Sequence, residues 1–210
     1  MPHVRRETWT FTALALAGMA VFGYATGVLM APGAAVLGDR LPELTCLQVA
    51  FTGERVATVL AAFSPEERAA IASLLKPGDM VFAWGYGLLL TGLLGLLTIR
   101  LPDGWQRVGR WLMWAPLGAS ALDCLEDLCL HALVTAPAGS PPGLLPLAAG
   151  IAATTKYLLL SGIAPAYGIA GTVQGIRTDR RAGSWVVYVL VVLHAIAFAA
   201  RPLQQIPPCL

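Results

Sequence analysis

The chain contains little charge for its length. Only 12% of its 210 residues are Asp, Glu, Lys or Arg, whereas 57% are hydrophobic. A soluble domain usually has about a quarter of charged residues, so this composition argues against an ordinary soluble enzyme or binding domain. The net charge of +2 and the lack of a long basic run exclude nucleic acid as the expected partner. The composition therefore favours an all-α integral membrane protein surrounded by membrane lipids.

The chain also lacks the short motifs of several enzyme classes. It has no phosphate-binding loop, no Gly-x-Ser-x-Gly nucleophile elbow and no Cys-x-x-Cys pair. A di-iron site would need Glu-x-x-His on paired helices, and the chain has only three histidines, so we expect no metal and no cofactor. A carboxylate site with His131 and His194 is the alternative. Since no internal repeat is found, an inverted-repeat transporter has no support.

Long apolar runs are what the chain does contain. They predict a membrane helical bundle of about five transmembrane helices, over 9–30, 79–99, 111–135, 144–175 and 185–200. The first run is longer than the apolar part of a signal peptide, so we predict an uncleaved helix. Arginines precede the first run and follow the second and fourth, on one side of such a bundle. The positive-inside rule then predicts a multi-pass protein of the cell (inner) membrane with a cytoplasmic N-terminus.

The one sizeable polar segment, 31–77, lies between the first and second predicted spans. We interpret it as an extracytoplasmic helical segment of a single membrane domain, 1–210. Ser64, Pro65 and Glu67 form the pattern of a capping box, which predicts a helix beginning at Pro65. A second helix is predicted over 54–63. On this topology Cys46 and Cys209 share the oxidising side, where either a disulfide or two free thiols would fit the sequence.

The third predicted span carries charged residues at membrane depth. Asp123, Glu126, Asp127 and His131 are spaced i, i+3, i+4 and i+8, so they share one helix face. A charged group inside a bilayer costs several kcal/mol unless it is paired or wetted. This face must therefore contact other helices or a cavity rather than lipid.

Lys156, in the fourth predicted span, is the nearest candidate counter-ion. At a rise of 1.5 Å per residue, Asp123 and Lys156 both lie about 18 Å from the outer ends of their helices. Antiparallel neighbours would place them at one level near the bilayer middle, which predicts an ion pair. The same counting places Tyr86 level with Glu126 and Asp79 close to His131.

These side chains together predict a polar pocket that opens toward the outer side. The predicted ligand-binding residues are Asp79, Tyr86, Asp127, His131 and Lys156. The leading hypothesis is that the pocket binds a small lipophilic or cationic ligand. The first alternative is a membrane-embedded acid–base enzyme acting on a lipid or isoprenoid, with Glu126 and Asp123 as catalytic proton-transfer groups. The second is a structural or accessory subunit, bound to a membrane protein partner, in which the ion pair only locks the helices.

Part of this pattern also carries a resemblance to other proteins. Over about residues 50–160 the chain resembles a group of uncharacterised bacterial membrane proteins with an Asp-x-x-Glu-Asn element in the third span. The matching positions are Asp79, Phe82, Tyr86, Gly87, Asp123, Glu126 and Lys156-Tyr157. Asp127 stands where that group has asparagine, which adds a carboxylate. The resemblance implies a membrane bundle and no known activity. In arrangement alone, a small bundle with buried carboxylates is also similar to the sterol-isomerase and sigma-2-receptor superfamily.

Overall fold

The computed structural model describes residues 2–137, 142–178 and 183–205, and within these ranges every regular element is helical. The prediction of an all-α fold is thus confirmed. The α-helices are α1 Pro2–Tyr24, α2 Ala31–Leu37, α3 Leu44–Gln48, α4 Gly53–Ala61, α5 Pro65–Ser73, α6 Met80–Thr98, α7 Asp103–Leu112, α8 Ala115–Thr135, α9 Leu145–Tyr157, α10 Ala164–Thr178 and α11 Ser184–Gln205. Three π-helical turns, Ala25–Met30, Leu74–Asp79 and Leu158–Ile163, and a 3₁₀ helix, Gly38–Glu43, lie between them.

Three helical runs in the described ranges are long and apolar enough to cross a membrane, namely Arg6–Gln48, Pro65–Thr98 and Leu145–Thr178. This finding fits a membrane protein. Two of the five predicted spans, those that correspond to α8 and α11, are not long and apolar enough by the same criterion. Helix α8 has 21 residues but carries three carboxyl groups, which lower its apolar character. The apolar stretch of α11, Ser184–Phe198, is shorter than a bilayer-spanning helix needs.

Helices α1 and α6 pack with their backbones in direct approach. A Cβ atom on Gly18 would lie 2.2 Å from a backbone nitrogen of α6, and one on Gly92 would lie 2.5 Å from the backbone nitrogen of Ala15. Gly85 is equally close to the backbone of Phe22, at 2.6 Å. Small residues at such positions let helices approach closely and gain van der Waals contact, as their spacing in the sequence suggests.

Helices α9 and α10 form one run that is interrupted near Pro165. Proline has no N–H to donate to the preceding turn, and its ring crowds the carbonyl four residues earlier. The π-helical turn Leu158–Ile163 directly precedes this position and absorbs the mismatch. It begins two residues after Lys156, so the interruption borders the predicted acidic site.

The segment 31–77 forms a helical cap, defined here as α2 to α5 with their connections. Its buried residues, including Leu47, Leu60 and Ile71, pack against the C-terminal half of α8, where Leu130 is buried. Helix α5 begins with the predicted capping box, because Ser64 Oγ accepts from Glu67 N at 3.2 Å and Glu67 Oε2 accepts from Ser64 N at 2.7 Å. Cys46 lies on α3, whereas Cys209 is outside the described residues.

Arg40 of the 3₁₀ helix ties the cap together. Its guanidinium donates to Glu67 of α5 at 2.8 and 2.9 Å and to Glu43 at 2.8 Å. The first part of the cap, α2 and the 3₁₀ helix, was not predicted, because the helix of α1 continues through a π turn beyond the expected end at residue 30. Gly38 ends α2 in a backbone conformation with φ of +51°, which glycine adopts without steric cost.

The stretch 100–110, predicted as a loop, is mostly helical. Helix α7 has Asp103 in its first turn and Arg110 in its last, and both charges oppose the helix dipole. Trp105 and Leu112 pack on the hydrophobic core, while Arg107 and Arg110 are exposed. The helix was not predicted because the arginines of this stretch favoured a loop, although its residues also have an amphipathic pattern. The following helix consequently begins at Ala115 instead of at residue 111.

Candidate functional site

Side chains from two elements, the π-helical turn Leu74–Asp79 and α8, form an acidic cluster, defined here as Asp79, Asp123, Glu126 and Asp127. Helix α8 supplies the last three from one face, on which Glu126 and Asp127 are completely buried and Asp123 is 4% exposed. Leu125 and Leu128 on the other side of α8 are exposed. The predicted polar face therefore points into the bundle and the apolar face points outward, as expected for a helix in lipid.

Lys156 on α9 reaches the cluster from the adjacent helix and is itself 4% exposed. Its Nζ contacts Asp123 Oδ1, so the structure contains the ion pair expected from the counting of helix turns. The same nitrogen lies 2.6 Å from Glu126 Oε2, a contact that the sequence had not predicted. One ammonium group thus contacts two carboxyl groups that lie three residues apart on α8.

Tyr86 on α6 holds the other oxygen of Asp123. Its hydroxyl donates to Asp123 Oδ2 at 2.7 Å, and the side chain is 2% exposed. The rings of Phe82 and Phe198 lie 5.6 and 5.9 Å from the Tyr86 ring, centroid to centroid. This aromatic packing fixes the hydroxyl, so both oxygens of Asp123 have defined partners.

Ser120 sets the spacing between α8 and α6 beside this contact. Its hydroxyl is completely buried and donates to the backbone carbonyl of Ala83 at 2.6 Å. A Cβ on Gly87 would lie 2.1 Å from Ser120 Oγ, so glycine at that position permits the close approach. Sequence reasoning missed Ser120, although its position three residues before Asp123 places it on the same helix face.

Asp127 differs from Asp123 in having no hydrogen-bond partner for either carboxyl oxygen among the described residues. It is nevertheless close to other acids: one oxygen each from Asp79, Asp123 and Asp127 lie within 4.8 Å of one another. Glu126 Oε1 also accepts no hydrogen bond in the described ranges. An unsatisfied carboxylate in a buried position is costly unless a proton or a cation compensates it.

The formal charges of the cluster do not balance. The three carboxylates of α8 contribute −3 and Lys156 contributes +1, which leaves −2 before any proton or ion is bound. Lys156 compensates the side of the cluster that contains Asp123 and Glu126. The excess negative charge therefore lies toward Asp127. The neighbouring Asp79 is only half-buried, so this side of the cluster lies nearest the surface of the bundle.

The depth predicted for the α6 residues was wrong by about one helical turn. Asp79 was expected beside His131 but lies with Asp123 and Asp127, and Tyr86 bonds to Asp123 rather than lying level with Glu126. The C-terminal end of α8 extends past the start of α6 because the helical cap packs around it. The break in helical geometry at Lys76 marks where α6 starts, and it is visible in the sequence as Lys-Pro-Gly.

Neither histidine of the alternative metal site joins the acidic cluster. His131 lies half-buried on α8. In the part of the chain that the structure describes, its ring forms no hydrogen bond or ion pair with the four carboxyl groups of the acidic cluster. His194 on α11 has Nδ1 2.7 Å from the carbonyl oxygen of Leu190, an ordinary intrahelical partner. The structure therefore does not bring the two histidines together around a carboxylate.

His194 instead lines a small apolar pocket between α6, α10 and α11. Leu90, Leu160, Pro165 and Phe198 are among its walls. Its free volume is about 20 Å³, which is room for about one water molecule. A lipophilic ligand would not fit there without rearrangement of the helices.

Comparison of the chain with models of known protein families, with curated proteins and with solved structures found no match. The acidic cluster itself is therefore the basis for assigning a function.

Proposed function

We propose that this chain is an integral membrane protein that binds a small cation in its acidic cluster. The observation that carries the proposal is the environment of Asp127. Its carboxyl group is completely buried, has no hydrogen-bond partner in the described structure, and lies next to carboxyl oxygens of Asp79 and Asp123. A cationic group placed among these oxygens would compensate a charge that no side chain of the described structure compensates.

The compactness of the site favours a cation over a lipophilic ligand. Oxygen atoms that lie within 4.8 Å of one another surround a space of atomic size. The apolar pocket lined by His194 has a free volume of only about 20 Å³, and the larger clefts, of about 520 and 700 Å³, are not lined by any residue of the acidic cluster. The charge and the dimensions of the cluster therefore both favour a small, positively charged ligand.

The proposal includes the five-span topology. Helix α8 would cross the bilayer with Leu125 and Leu128 toward lipid and its acids toward α6 and α9, and α11 would be the fifth span. Helix α7 would lie at the cytoplasmic surface, with Arg107 and Arg110 among the lipid headgroups. The helical cap would then cover the outer end of the bundle.

Exposed tryptophans support this position of α7. Trp111 and Trp114, directly before and at the turn into α8, are 81% and 45% exposed. Tryptophan is enriched at both membrane–water interfaces, where its amphipathic ring sits at headgroup level. Such a helix would also make membrane lipids direct partners of the protein.

An acid–base enzyme is the alternative from another functional class. It would use Glu126, whose Oε1 accepts no hydrogen bond in the described structure, beside the ammonium group of Lys156. A substrate would have to enter through the half-buried side at Asp79, because Glu126 is completely buried. Because a substrate could reach a completely buried group only if the helices moved, enzyme function is the second choice.

Native mass spectrometry of the detergent-purified protein tests the proposal. We expect the wild-type protein to retain a cationic species, and the Asp127→Asn variant to lose it, since the amide removes the uncompensated charge at little change in volume. Asp103→Asn is the matched control, because Asp103 is an exposed residue at the start of α7.

Three other results would count against cation binding. Retention of the same species by Asp127→Asn would place the ligand elsewhere. Absence of any bound cation from a folded wild-type protein, even after incubation with cations, would support a structural ion pair. Turnover of an added lipid that is lost in Glu126→Gln but kept in Asp127→Asn would support the enzyme.

A further inference from the structure

We infer that the cation is a hard divalent metal ion, bound by Asp79, Asp123 and Asp127. This inference rests on the proposed function and makes it specific. The three residues each offer a carboxylate oxygen, and carboxylate oxygens are the ligands that calcium, magnesium and manganese prefer. Sequence reasoning expected no metal, because the chain lacks the paired Glu-x-x-His motif of a di-iron site and has only three histidines.

The distances fit a directly bound metal ion. Calcium binds oxygen at about 2.3–2.6 Å, so two ligand atoms on opposite sides of the ion are up to about 5 Å apart. The three oxygen atoms lie within 4.8 Å of one another, inside that limit. Magnesium binds oxygen at about 2.0–2.1 Å, so its opposite ligands are about 4 Å apart, which the same limit also admits. The spacing therefore fits calcium, manganese and magnesium alike.

The arrangement of charge divides the cluster into two parts. Lys156 contacts Asp123 Oδ1 and Glu126 Oε2, while Asp127 has both oxygens available. A divalent ion beside Asp127 would offset the formal charge of −2 that the three carboxylates of α8 and Lys156 leave. The lysine would remain with Glu126, and Asp123 would contact both the lysine and the metal. The second observation beyond acidity is thus the completely buried, unpartnered carboxyl group of Asp127.

The proposed ion would lie close to the surface of the bundle. Asp79 is half-buried and directly precedes α6, where the helix breaks at Lys76. Metal sites of this type usually complete their coordination with water. The exposed part of Asp79 is where such water would enter. Tyr86 would support the site from the other side by holding Asp123 Oδ2.

Electron paramagnetic resonance with Mn²⁺ tests the inference on the purified full chain after treatment with chelator. Free Mn²⁺ gives a sharp signal that is lost on binding, so the titration reports both affinity and stoichiometry. We expect one Mn²⁺ per chain, displaced by an excess of Ca²⁺ or Mg²⁺. Asp127→Asn and Asp79→Asn should each weaken binding by at least about tenfold, the lower range for disturbance of a metal site. Asp103→Asn should bind as the wild type does.

The outcomes separate the two levels of the proposal. Absence of saturable Mn²⁺ binding, or equal binding in all three variants, overturns the metal site. If native mass spectrometry finds an organic cation that is lost in Asp127→Asn, cation binding by the cluster is supported and the metal ion is refuted. If neither an organic cation nor a metal ion depends on Asp127, both proposals are refuted. Asp79→Asn keeps the test informative should Asp127→Asn fail to fold, because Asp79 is at the partly exposed end of α6.

Discussion

Replacement of Lys156 by methionine is the sharpest test of how the acidic cluster is held. The side chain is 4% exposed, and its Nζ contacts both Asp123 and Glu126. Methionine preserves most of the volume but leaves two buried carboxyl groups without their shared cation. Removal of one partner from a buried ion pair costs about 3–5 kcal/mol. We therefore expect the free energy of unfolding to fall by this amount at neutral pH.

The loss should be reversed when the carboxyl groups are neutralised together with the lysine. In the triple variant Lys156→Met, Asp123→Asn, Glu126→Gln none of the three charges remains. Replacement of a buried ion pair by uncharged groups often changes the free energy of unfolding little. We expect the triple variant to be within about 2 kcal/mol of the wild type. Lys76→Met is the matched control, because Lys76 is exposed and a surface change usually costs less than about 0.5 kcal/mol.

Reversible unfolding in mixed micelles, with increasing mole fraction of sodium dodecyl sulfate and tryptophan fluorescence as the readout, measures these differences. A loss below about 1 kcal/mol in Lys156→Met would refute the reasoning, because that is the value of a solvated surface pair. An equal loss in the single and triple variants would also refute it. In that case packing of the lysine stem, rather than its charge, would stabilise the bundle.

Three further predictions use the same unfolding assay. Tyr86→Phe should cost about 1–3 kcal/mol because it leaves a buried carboxyl oxygen without its donor, whereas the exposed Tyr24→Phe should have no effect. Gly92→Ala should cost about 1–3 kcal/mol because its Cβ would meet the backbone of α1, whereas Gly104→Ala, with open space around it, should be neutral or slightly stabilising. Ser64→Ala should cost about 1 kcal/mol through loss of the capping box. Equal effects in a variant and its control would contradict the corresponding contact.

Local signals in the sequence predicted local structure well. The capping box at Ser64 was recognisable because its residues lie three positions apart and need nothing from the rest of the fold. The single face of α8 was recognisable for the same reason. The amphipathic pattern of α7 was missed because arginines between two apolar runs are also typical of a loop at the membrane surface.

The relative positions of helices were harder to predict than the helices themselves. Counting from helix ends placed Lys156 correctly against Asp123, since α8 and α9 are consecutive and antiparallel. The same counting failed for Asp79, because α6 and α8 are not joined directly and start at different levels. The end of α8 packs with the helical cap, which is a long-range contact. The convergence of three carboxyl groups was therefore not visible in the sequence alone.

The close contact between α1 and α6 has a consequence for biosynthesis. Between the two helices lies the whole helical cap, so α1 leaves the ribosome well before the helix against which it packs. Helix α1 also buries little of its surface elsewhere, as the exposure of Leu16, Met19 and Tyr24 shows. In a membrane, α1 would first be a single helix surrounded by lipid, because α6 would not yet have been synthesised. The bundle would thus assemble after insertion. Although α1 is synthesised first, it would pack against its neighbours late.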